Sequence, residues 1–289
     1  MTNYFNSKYP IIALAMNQVS DAKFAIECSN AGIYPSISLF NYNTFNLLLD
    51  DIHFFVKEKN NSNFLFSMEF EDLKKNSTLK LIDFFNIKTI ELIAPFNHKN
   101  FNFLEFKNII YNIRKKGIIL CLKCVYENDF VNCDLFDCLI IKGQNGAGLV
   151  GNIIIDNVLE KIKHKYPKKF IIIGGGIENK QQITHYLNNG ADAIGIGSLF
   201  ALSKESCIPE KTKLALLNKE KTFIKNKKNN IKNAIVFSDI DNRKDDLNNT
   251  KSLILGIKGN GTIGHVYAGT AVKNIKEIKP LKQIVEELI

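Results

Sequence analysis

The sequence contains very little arginine and no long apolar run, and these two deficits exclude several classes of function. The formal net charge of +9 comes almost entirely from lysine, since arginine occurs only as Arg114 and Arg243. Recognition of phosphates and bases favours the planar guanidinium group of arginine over the ammonium group of lysine. A positive charge that comes almost entirely from lysine therefore predicts no nucleic-acid partner. No apolar stretch approaches the ~18 residues that a membrane span requires, and residues 1–10 lack the apolar core of a secretory signal. We therefore expect a cytoplasmic protein without a membrane partner.

The six cysteines do not indicate a disulfide framework or a metal site. Cys121 and Cys124 are three residues apart in a predicted strand, so their side chains should leave opposite faces of it. We interpret the cysteines as buried free thiols and expect no bound metal.

Between Pro10 and about Ser203, short β-branched or aromatic runs alternate with longer segments of helical period. This alternation is typical of repeated βα units around a parallel sheet. The strands are predicted at Ile11–Met16, Tyr34–Phe40, Asn63–Phe70, Lys88–Ala94, Gly117–Val125, Cys138–Gly143, Phe170–Ile173 and Ala193–Ile196. Eight units in a chain of this length favour an α/β fold, a (β/α)8 TIM barrel. An open doubly wound sheet is the alternative, since periodicity does not report closure.

Helices are expected around 44–57, 71–85, 102–115 and 179–189, and Ser20 is expected to cap the first helix after the first strand. Three regions follow from these patterns. Residues 1–203 form the barrel, 204–266 a lid or small subdomain, and 267–289 closing helices that pack back on the barrel. A surface excursion without function is an equal interpretation of the middle region, which is rich in Lys, Asn and Asp.

Two neighbouring strand ends are built from residues with little or no side chain. The seventh strand runs into Gly174-Gly175-Gly176, and the eighth, which contains Gly195 and Ile196, runs into Gly197-Ser198. Ser198 is also placed to cap a following helix. Backbone N–H groups and helix amino-termini at these two ends could converge on one anion, so we predict a phosphate site there. FMN, a sugar phosphate or a nucleotide would each present such a group, and the alternative is that the glycines only permit tight turns.

Several stretches of the chain resemble one family, and their order and spacing carry the likeness. They are Pro10–Val19 followed by Ser20, Ser29–Gly32, Lys142–Gly151, Gly175–Ile177, Gly195–Ser198, and Tyr267–Thr270 through Ile275–Pro280. The chain resembles the FMN-dependent TIM barrels that include nitronate monooxygenases (2-nitropropane dioxygenases) and type II enoyl-acyl-carrier-protein reductases. The resemblance implies that FMN is the cofactor and that the glycine-rich strand ends hold its phosphate.

The resemblance also assigns residues to the flavin ring. It implies that Met16 and Ser67 lie along the isoalloxazine, with Lys142 and Ala147 near its polar edge. Ser67 replaces the family's usual Asn, and Lys142 replaces a frequent Gln. A cation at the N1–C2 edge would stabilise the anionic reduced ring, so the lysine is chemically sensible there.

The glycine-rich loop after strand 6 departs from the family at its catalytic position. Leu149 stands where the family places its catalytic His, and Asn145 stands where many members have Glu. The remaining candidates for a catalytic group are His98 and His265 near the barrel mouth, with Lys123 pointing inward from the fifth strand and Glu91 from the fourth. The catalytic residue is therefore not identified by the sequence.

Without that histidine, an anionic substrate is favoured over a neutral one. Removing a proton from a neutral carbon acid requires a positioned base, which contributes about 10²–10⁴-fold to the rate. A nitronate arrives as an anion and needs only electron transfer to the flavin. Leu149 therefore disfavours neutral nitroalkanes.

Three functions agree with these observations. The first is an FMN-dependent oxidoreductase of the nitronate monooxygenase type that oxidises a small nitronate-like anion with oxygen. The second is an NAD(P)H-dependent enoyl-thioester reductase, for which Lys219, Lys221, Lys225, Lys227 and Lys228 would attract an acidic acyl carrier protein. The third is a flavin-binding protein that has lost turnover. A homodimer is compatible with the sequence, which does not define the oligomeric state.

Overall fold

A computed structural model of the chain describes residues 5–94, 101–217, 223–226, 232–237, 253–254, 256–257 and 265–289. The strands are β1 (Ile11–Ala13), β2 (Ser36–Ser38), β3 (Leu65–Met68), β4 (Thr89–Ile93), β5 (Ile119–Cys124), β6 (Cys138–Lys142), β7 (Gly148–Val150), β8 (Phe170–Gly174), β9 (Ala193–Ile196), β10 (Phe223–Asn226), β11 (Lys232–Phe237) and β12 (His265–Val266). The helices are α1 (Ala22–Asn30), α2 (Phe45–Lys59), α3 (Phe70–Leu73), α4 (Asn76–Phe84), α5 (Phe103–Lys115), α6 (Ile155–Lys165), α7 (Lys180–Asn188), α8 (Ser198–Ala201), α9 (Glu210–Leu216) and α10 (Leu281–Glu287).

Eight parallel strands form one sheet in the order β1-β9-β8-β6-β5-β4-β3-β2. The sheet closes on itself just before β2. The amide of Ala13 donates to the carbonyl of Tyr34 at 2.9 Å, and the amide of Tyr34 donates to the carbonyl of Ile11 at 2.9 Å. Closure confirms the predicted (β/α)8 barrel and excludes the open doubly wound sheet. It also brings the carboxyl ends of all eight strands to one face, where barrels of this kind place their sites.

Alternate residues of each strand divide the core into two parts. The barrel interior contains Ile12, Tyr34, Leu65, Cys121, Cys138, Ile140, Phe170, Ile172 and Ala193. A larger cluster, which includes Cys124, lies between the strands and the surrounding helices. Cys121 and Cys124 therefore leave opposite faces of β5, as predicted. Cys28, Cys121, Cys124, Cys133 and Cys138 are buried free thiols, but Cys207 is exposed, so the prediction that every cysteine is buried is wrong at that position.

Two predicted helix caps are placed on the wrong residue. Asp21, not Ser20, caps α1, since its Oδ1 accepts from the amide of Phe24 at 2.8 Å. The hydroxyl of Ser20 instead accepts from the amide of Met16 at 2.9 Å and holds the turn after β1. Gly197 is the residue that precedes α8, and Ser198 is its first residue. In both cases the cap lies one residue from the predicted position, a shift that only the backbone conformation determines.

The predicted helix over 71–85 is divided into α3 and α4. The backbone at Lys75 is extended, with φ −74° and ψ 124°, and it separates the two helices. Asp72 contributes to the division because its side chain accepts from the amide of Glu69 and closes a capping box on the short α3. The apolar period continues across the break, which is why the sequence predicts one helix.

A small antiparallel sheet lies beside the barrel. Strand β11 pairs with β10, with β12 and with β7, which belongs to the loop after β6. The register places Leu149 opposite Asn233. Much of 204–266 lies outside the described residues, so the predicted lid and the three-region layout stay predictions. In the part of the chain that the structure describes, no helix combines the length and apolar character needed to cross a bilayer.

Candidate active site

A cavity of about 450 Å³ opens at the carboxyl ends of the barrel strands. Its size falls in the range of about 300–1,000 Å³ that is typical of small-molecule sites. The strands and the loops that follow them supply Met16, Ser38, Ser67, Ile93, Lys123 and Lys142, and the loop after β6 adds Ala147, Gly148 and Leu149. Four residues that the family resemblance assigns to the flavin ring, Met16, Ser67, Lys142 and Ala147, thus line a single cavity.

A polar cluster occupies the floor of this cavity, where the inward positions of β3, β4 and β5 are polar. The Nζ of Lys123 lies 2.6 Å from the Oε1 of Glu91, and the hydroxyl of Ser67 donates to the same oxygen at 2.7 Å. Glu91 is fully buried, and its Oε2 has no hydrogen-bond partner among the described residues. The carboxylate of Glu91 therefore balances the charge of Lys123, and its Oε2 keeps an unused capacity to accept a hydrogen bond.

Lys142 is a second buried lysine on the floor, at the end of β6. Its Nζ donates to the carbonyl oxygen of Ala147 and, at 2.7 Å, to that of Leu149. The pKa of Lys142 is lowered to about 7, chiefly by burial and also by the nearby Lys123, while Glu91 acts in the opposite direction. At neutral pH both protonation states of this amine are accessible.

The glycine-rich strand ends lie next to each other, since Gly174 of β8 pairs with Gly195 of β9. Gly176 has a φ of +81°, and a Cβ there would lie 2.6 Å from the Cβ of Asn145. Gly197 faces more open space, with the Sδ of Met16 as the nearest atom, 3.7 Å from where a Cβ would lie. Met16 thus lies between the cavity and the turn after β9, which contains Gly197.

The turn after β8 and the turn after β9 both contact the segment that follows β12. The hydroxyl of Ser198 accepts from the amide of Gly269 at 2.9 Å, and the amide of Thr270 donates to the carbonyl of Asn145 at 3.0 Å. A Cβ on Gly176 would lie 3.2 Å from the Oγ1 of Thr270. The two strand ends therefore lie against one segment, while the convergence of their amides on an anion stays a prediction, and Gly175, Gly176 and Gly195–Ser198 are not among the residues that line the cavity.

Not every predicted phosphate residue faces open space. Gly195 and Ile196 are buried inside β9, and a Cβ on Gly195 would lie 2.6 Å from the Cδ2 of Leu14. Gly175 packs in the same way, since a Cβ there would lie 2.8 Å from the carbonyl oxygen of Gly143. These glycines permit close packing of neighbouring backbone and side chains, which is the structural alternative that the sequence left open.

The histidines do not replace the missing catalytic residue within the described cavity. His265 is buried on β12, with its ring 5.6 Å from that of Tyr267, and it is not one of the lining residues. His98 lies outside the described residues. His53, His164 and His185 are exposed on helices. Of the candidates that the sequence offers, the structure describes His265, Lys123 and Glu91, and among these three Lys123 lines the cavity.

Among the lining residues that the sequence did not indicate are three with polar side chains. Tyr126 and Asp129 come from the connection after β5, and Tyr267 follows β12. The Oδ2 of Asp129 accepts from the amides of Val125 and Tyr126, each at 2.8 Å, while its Oδ1 has no partner among the described residues. Burial raises the pKa of Asp129. The position of Asp129 just after a barrel strand is a signal for a site residue. The connection after β5 has a weak sequence pattern, so this signal was not recognised.

Comparison with known proteins finds no matching family model and no similar curated sequence. Solved structures do match. FabK from Thermotoga maritima has a TM-score of 0.81 at 18% identity, and the match covers 99% of this chain and 93% of FabK. A nitroalkane oxidase from Streptomyces ansochromogenes has a TM-score of 0.77 at 16% identity, covering 98% of this chain and 95% of the oxidase.

A third structure is the enoyl reductase domain of MlnA from the macrolactin biosynthesis cluster of Bacillus amyloliquefaciens. It has a TM-score of 0.75 at 11% identity, and the match covers 98% of this chain and 94% of that domain. The similarity extends over nearly the full length of each chain. It shows that this protein shares the fold of these proteins, in agreement with the closed barrel described above.

Proposed function

We propose that this chain belongs to the family of FMN-dependent barrels and is an oxidoreductase of the nitronate monooxygenase type, acting on a small anionic, nitronate-like substrate with oxygen. The observation that carries the proposal is the cavity itself. Its floor holds two buried lysines, Lys123 and Lys142, and its wall presents Leu149 where a histidine base would stand. Glu91 compensates Lys123, so the uncompensated positive charge of the floor is that of protonated Lys142, and this charge suits a substrate that arrives with a negative charge.

The residues present fit FMN. In this proposal the cavity would receive a planar ring beside Met16, Ser67, Lys142 and Ala147, and Met16 lies near Gly197, which has no other atom of the described residues within 4 Å of where a Cβ would lie, apart from its chain neighbours. The amides of the turns after β8 and β9 would hold the phosphate without an arginine, because charge-assisted hydrogen bonds contribute about 1.5–3 kcal/mol each. When bound, FMN would accept the electron pair of the substrate and pass it to oxygen.

The side chains of the cavity have separate tasks in this proposal. Lys123 pairs with Glu91, and Ser67, which lines the cavity and donates its hydroxyl hydrogen to the same carboxylate, would accept a hydrogen bond from a ligand. Lys142 places a second positive charge at the same floor when it is protonated. Leu149 and Ile93 exclude water from the cavity wall, and a low local dielectric strengthens the attraction between the lysines and an anion.

An NAD(P)H-dependent enoyl-thioester reductase is the second candidate, and the similarity to the MlnA enoyl reductase domain favours it. Such an enzyme would receive its substrate from an acyl carrier protein. The lysines proposed to attract that partner, Lys219, Lys221, Lys227 and Lys228, lie outside the described residues, and Lys225 lies on β10. A flavin-binding protein without turnover remains the third candidate.

Two measurements distinguish these functions. The absorption spectrum of the purified protein tests the cofactor, because bound oxidised flavin absorbs visible light that the polypeptide does not. Oxygen consumption with propyl-2-nitronate, and NAD(P)H oxidation with an enoyl thioester, then test the two reactions. A colourless protein that takes up no added FMN contradicts the proposal. Bound flavin that is silent in both assays supports the third candidate.

A further inference from the structure

The hydrogen bonds of Lys142 leave one position of its nitrogen unoccupied. Besides its bond to Cε, a lysine nitrogen has three positions, all N–H when charged and two N–H with a lone pair when neutral. Two of them are directed to the carbonyl oxygens of Ala147 and Leu149. The third has no partner among the described residues, and Lys142 lines the cavity. The neutral amine can therefore keep both of its N–H groups bonded while its lone pair stays without a partner among the described residues, at a residue that lines the cavity.

The rest of the lysine side chain is held in place by close packing. A Cβ on Gly146 would lie 2.6 Å from the Cε of Lys142, so the glycine backbone lies directly against the aliphatic stem. Both carbonyl acceptors belong to the same loop, and β7 in that loop pairs with β11. The loop after β6 thus holds the Nζ of Lys142 in one position, and the pairing of β7 with β11 holds the loop.

The surrounding charges favour a neutral amine that can accept a proton. Lys123 on β5 repels a second positive charge, and its own counter-ion Glu91 on β4 is already shared with Ser67. Asp129, the buried carboxyl of the lining, directs its Oδ2 to the amides of Val125 and Tyr126. The other titratable groups that line the cavity are Tyr126, Tyr267 and the exposed Glu69, and burial raises the pKa of Tyr267.

We propose that Lys142 is the catalytic proton acceptor of the cavity and removes a proton from a carbon atom next to a nitro or carbonyl group of a neutral substrate. The C–H bond breaks, an N–H bond forms on Nζ, and the electron pair of the C–H bond delocalises onto the nitro or carbonyl oxygens. The resulting anion is the species that the proposed function oxidises, so this inference rests on that function and widens its substrates to neutral carbon acids. Leu149 then contributes its backbone carbonyl, which positions the base, in place of a catalytic side chain.

Exchange of carbon-bound hydrogen tests this role without any redox step. Nitroethane in D₂O exchanges its α-hydrogens when a base removes and returns them, and NMR follows the loss of the proton signal. We expect the wild-type holoenzyme to accelerate exchange over buffer, with a rate that increases as the pH rises through about 7 and then levels off. Lys142→Met should lower the enzymatic rate by about 10²-fold or more. Exchange by Lys142→Met at the wild-type rate would overturn the proposal.

Two further variants separate a base from a mere charge or a structural effect. Lys142→Arg keeps the positive charge but cannot release a proton at these pH values, so it should lose exchange as Lys142→Met does. Lys169 is the matched control, since burial also lowers its pKa and its Nζ donates to the carbonyls of Asp134 and Phe136. It lies outside the cavity lining, and Lys169→Met should exchange at the wild-type rate. A loss in Lys169→Met equal to that in Lys142→Met would contradict the assignment.

A measurement on the wild-type protein alone covers the case in which the variants fold poorly. In protein labelled with ¹³C at lysine Cε, one resonance should titrate with a midpoint near 7. If every lysine titrates above pH 9, the proposal is wrong. Failure of the proposed function is distinguishable from either result, because hydrogen exchange consumes neither oxygen nor NAD(P)H and flavin retention is read separately from the visible spectrum.

Discussion

Lys123 and Glu91 form a buried ion pair between neighbouring barrel strands, with 2.6 Å between Nζ and Oε1. Both residues belong to the inward face of the barrel, and the hydroxyl of Ser67 donates to the same carboxylate oxygen. A pair this deep is stable only while both partners remain. Its presence explains how a floor with two lysines is tolerated beneath an otherwise largely apolar cavity.

Removing one partner of this pair should destabilise the fold strongly. Glu91→Gln leaves the charge of Lys123 buried without compensation, and we expect a loss of about 3–5 kcal/mol in the free energy of unfolding. Urea denaturation measures this loss. The exposed pair of Lys116 and Asp83 is the control, and Asp83→Asn should cost no more than about 1 kcal/mol. Similar losses in the two variants would contradict the buried pair.

The low pKa of Lys142 predicts a pH-dependent stability. Its folded pKa of about 7 is below the ordinary value of 10.5, so between these values the unfolded chain carries a proton that the folded chain lacks. The free energy of unfolding should therefore rise with pH across this window by up to about 1.4 kcal/mol per unit, while below pH 7 the full penalty is present and this slope vanishes.

Lys142→Met removes that contribution to the pH profile. The free energy of unfolding of the variant, relative to that of wild type, should be highest at pH 7 and below. This difference should fall by roughly 2–3 kcal/mol by pH 9, because wild type gains stability over that range. Urea denaturation of both proteins at the two pH values, at equal flavin content, gives the difference directly. Parallel profiles for the two proteins would show that Lys142 does not titrate in this range.

A histidine at position 149 should substitute for the lysine base. The side chain of Leu149 lines the cavity, while its contact with Lys142 runs through the backbone carbonyl and is independent of the side chain. We expect the double variant Lys142→Met, Leu149→His to regain at least part of the nitroethane exchange that Lys142→Met loses. Rates in the double variant that stay at the level of Lys142→Met would indicate that position 149 does not reach the substrate.

Gly176 provides a test of the proposed phosphate site. Gly176→Asp places a carboxylate beside the phosphate, and its Cβ would collide with Asn145, so flavin retention should be abolished. Gly117 is a matched control, because its φ of +73° imposes similar backbone strain but nothing lies within 4 Å of a Cβ there. Gly117→Asp should therefore keep its flavin. The ratio of visible to protein absorbance after purification gives the result, and wild-type FMN content in Gly176→Asp would count against the placement.

Much of the architecture was predictable because it depends on local pattern. Each barrel strand lies within or close to a run that the sequence marks as a strand, and the glycines after β8 and β9 mark the strand ends that meet near Gly269. Details that depend on one backbone angle were not predictable. The cap at Asp21 and the break at Lys75 are examples, since neighbouring residues of similar propensity compete for the same role.

The candidate site was predictable only in part. The family resemblance selected Met16, Ser67, Lys142 and Ala147, and all four line the cavity. No pattern in the sequence indicates that the carbonyl of Leu149 would bind Lys142. Every residue has a backbone carbonyl, so the residue type at position 149 does not reveal which side chain that carbonyl binds. Asp129 was missed for a related reason, since a carboxylate in a weakly patterned connection is ordinarily solvated.

By itself, the sequence determined the repeated βα units, the inward or outward direction of strand side chains and the position of the glycine-rich turns, because these follow from periodicities of two and 3.6 residues and from the absence of Cβ atoms. Only the tertiary structure decided that the barrel closes through Tyr34, that Glu91 pairs with Lys123, and that the nitrogen of Lys142 bonds two backbone carbonyls beside the cavity. Closure and charge pairing depend on residues far apart in the chain, and the protonation of a buried amine depends on every charge and dipole that surrounds it.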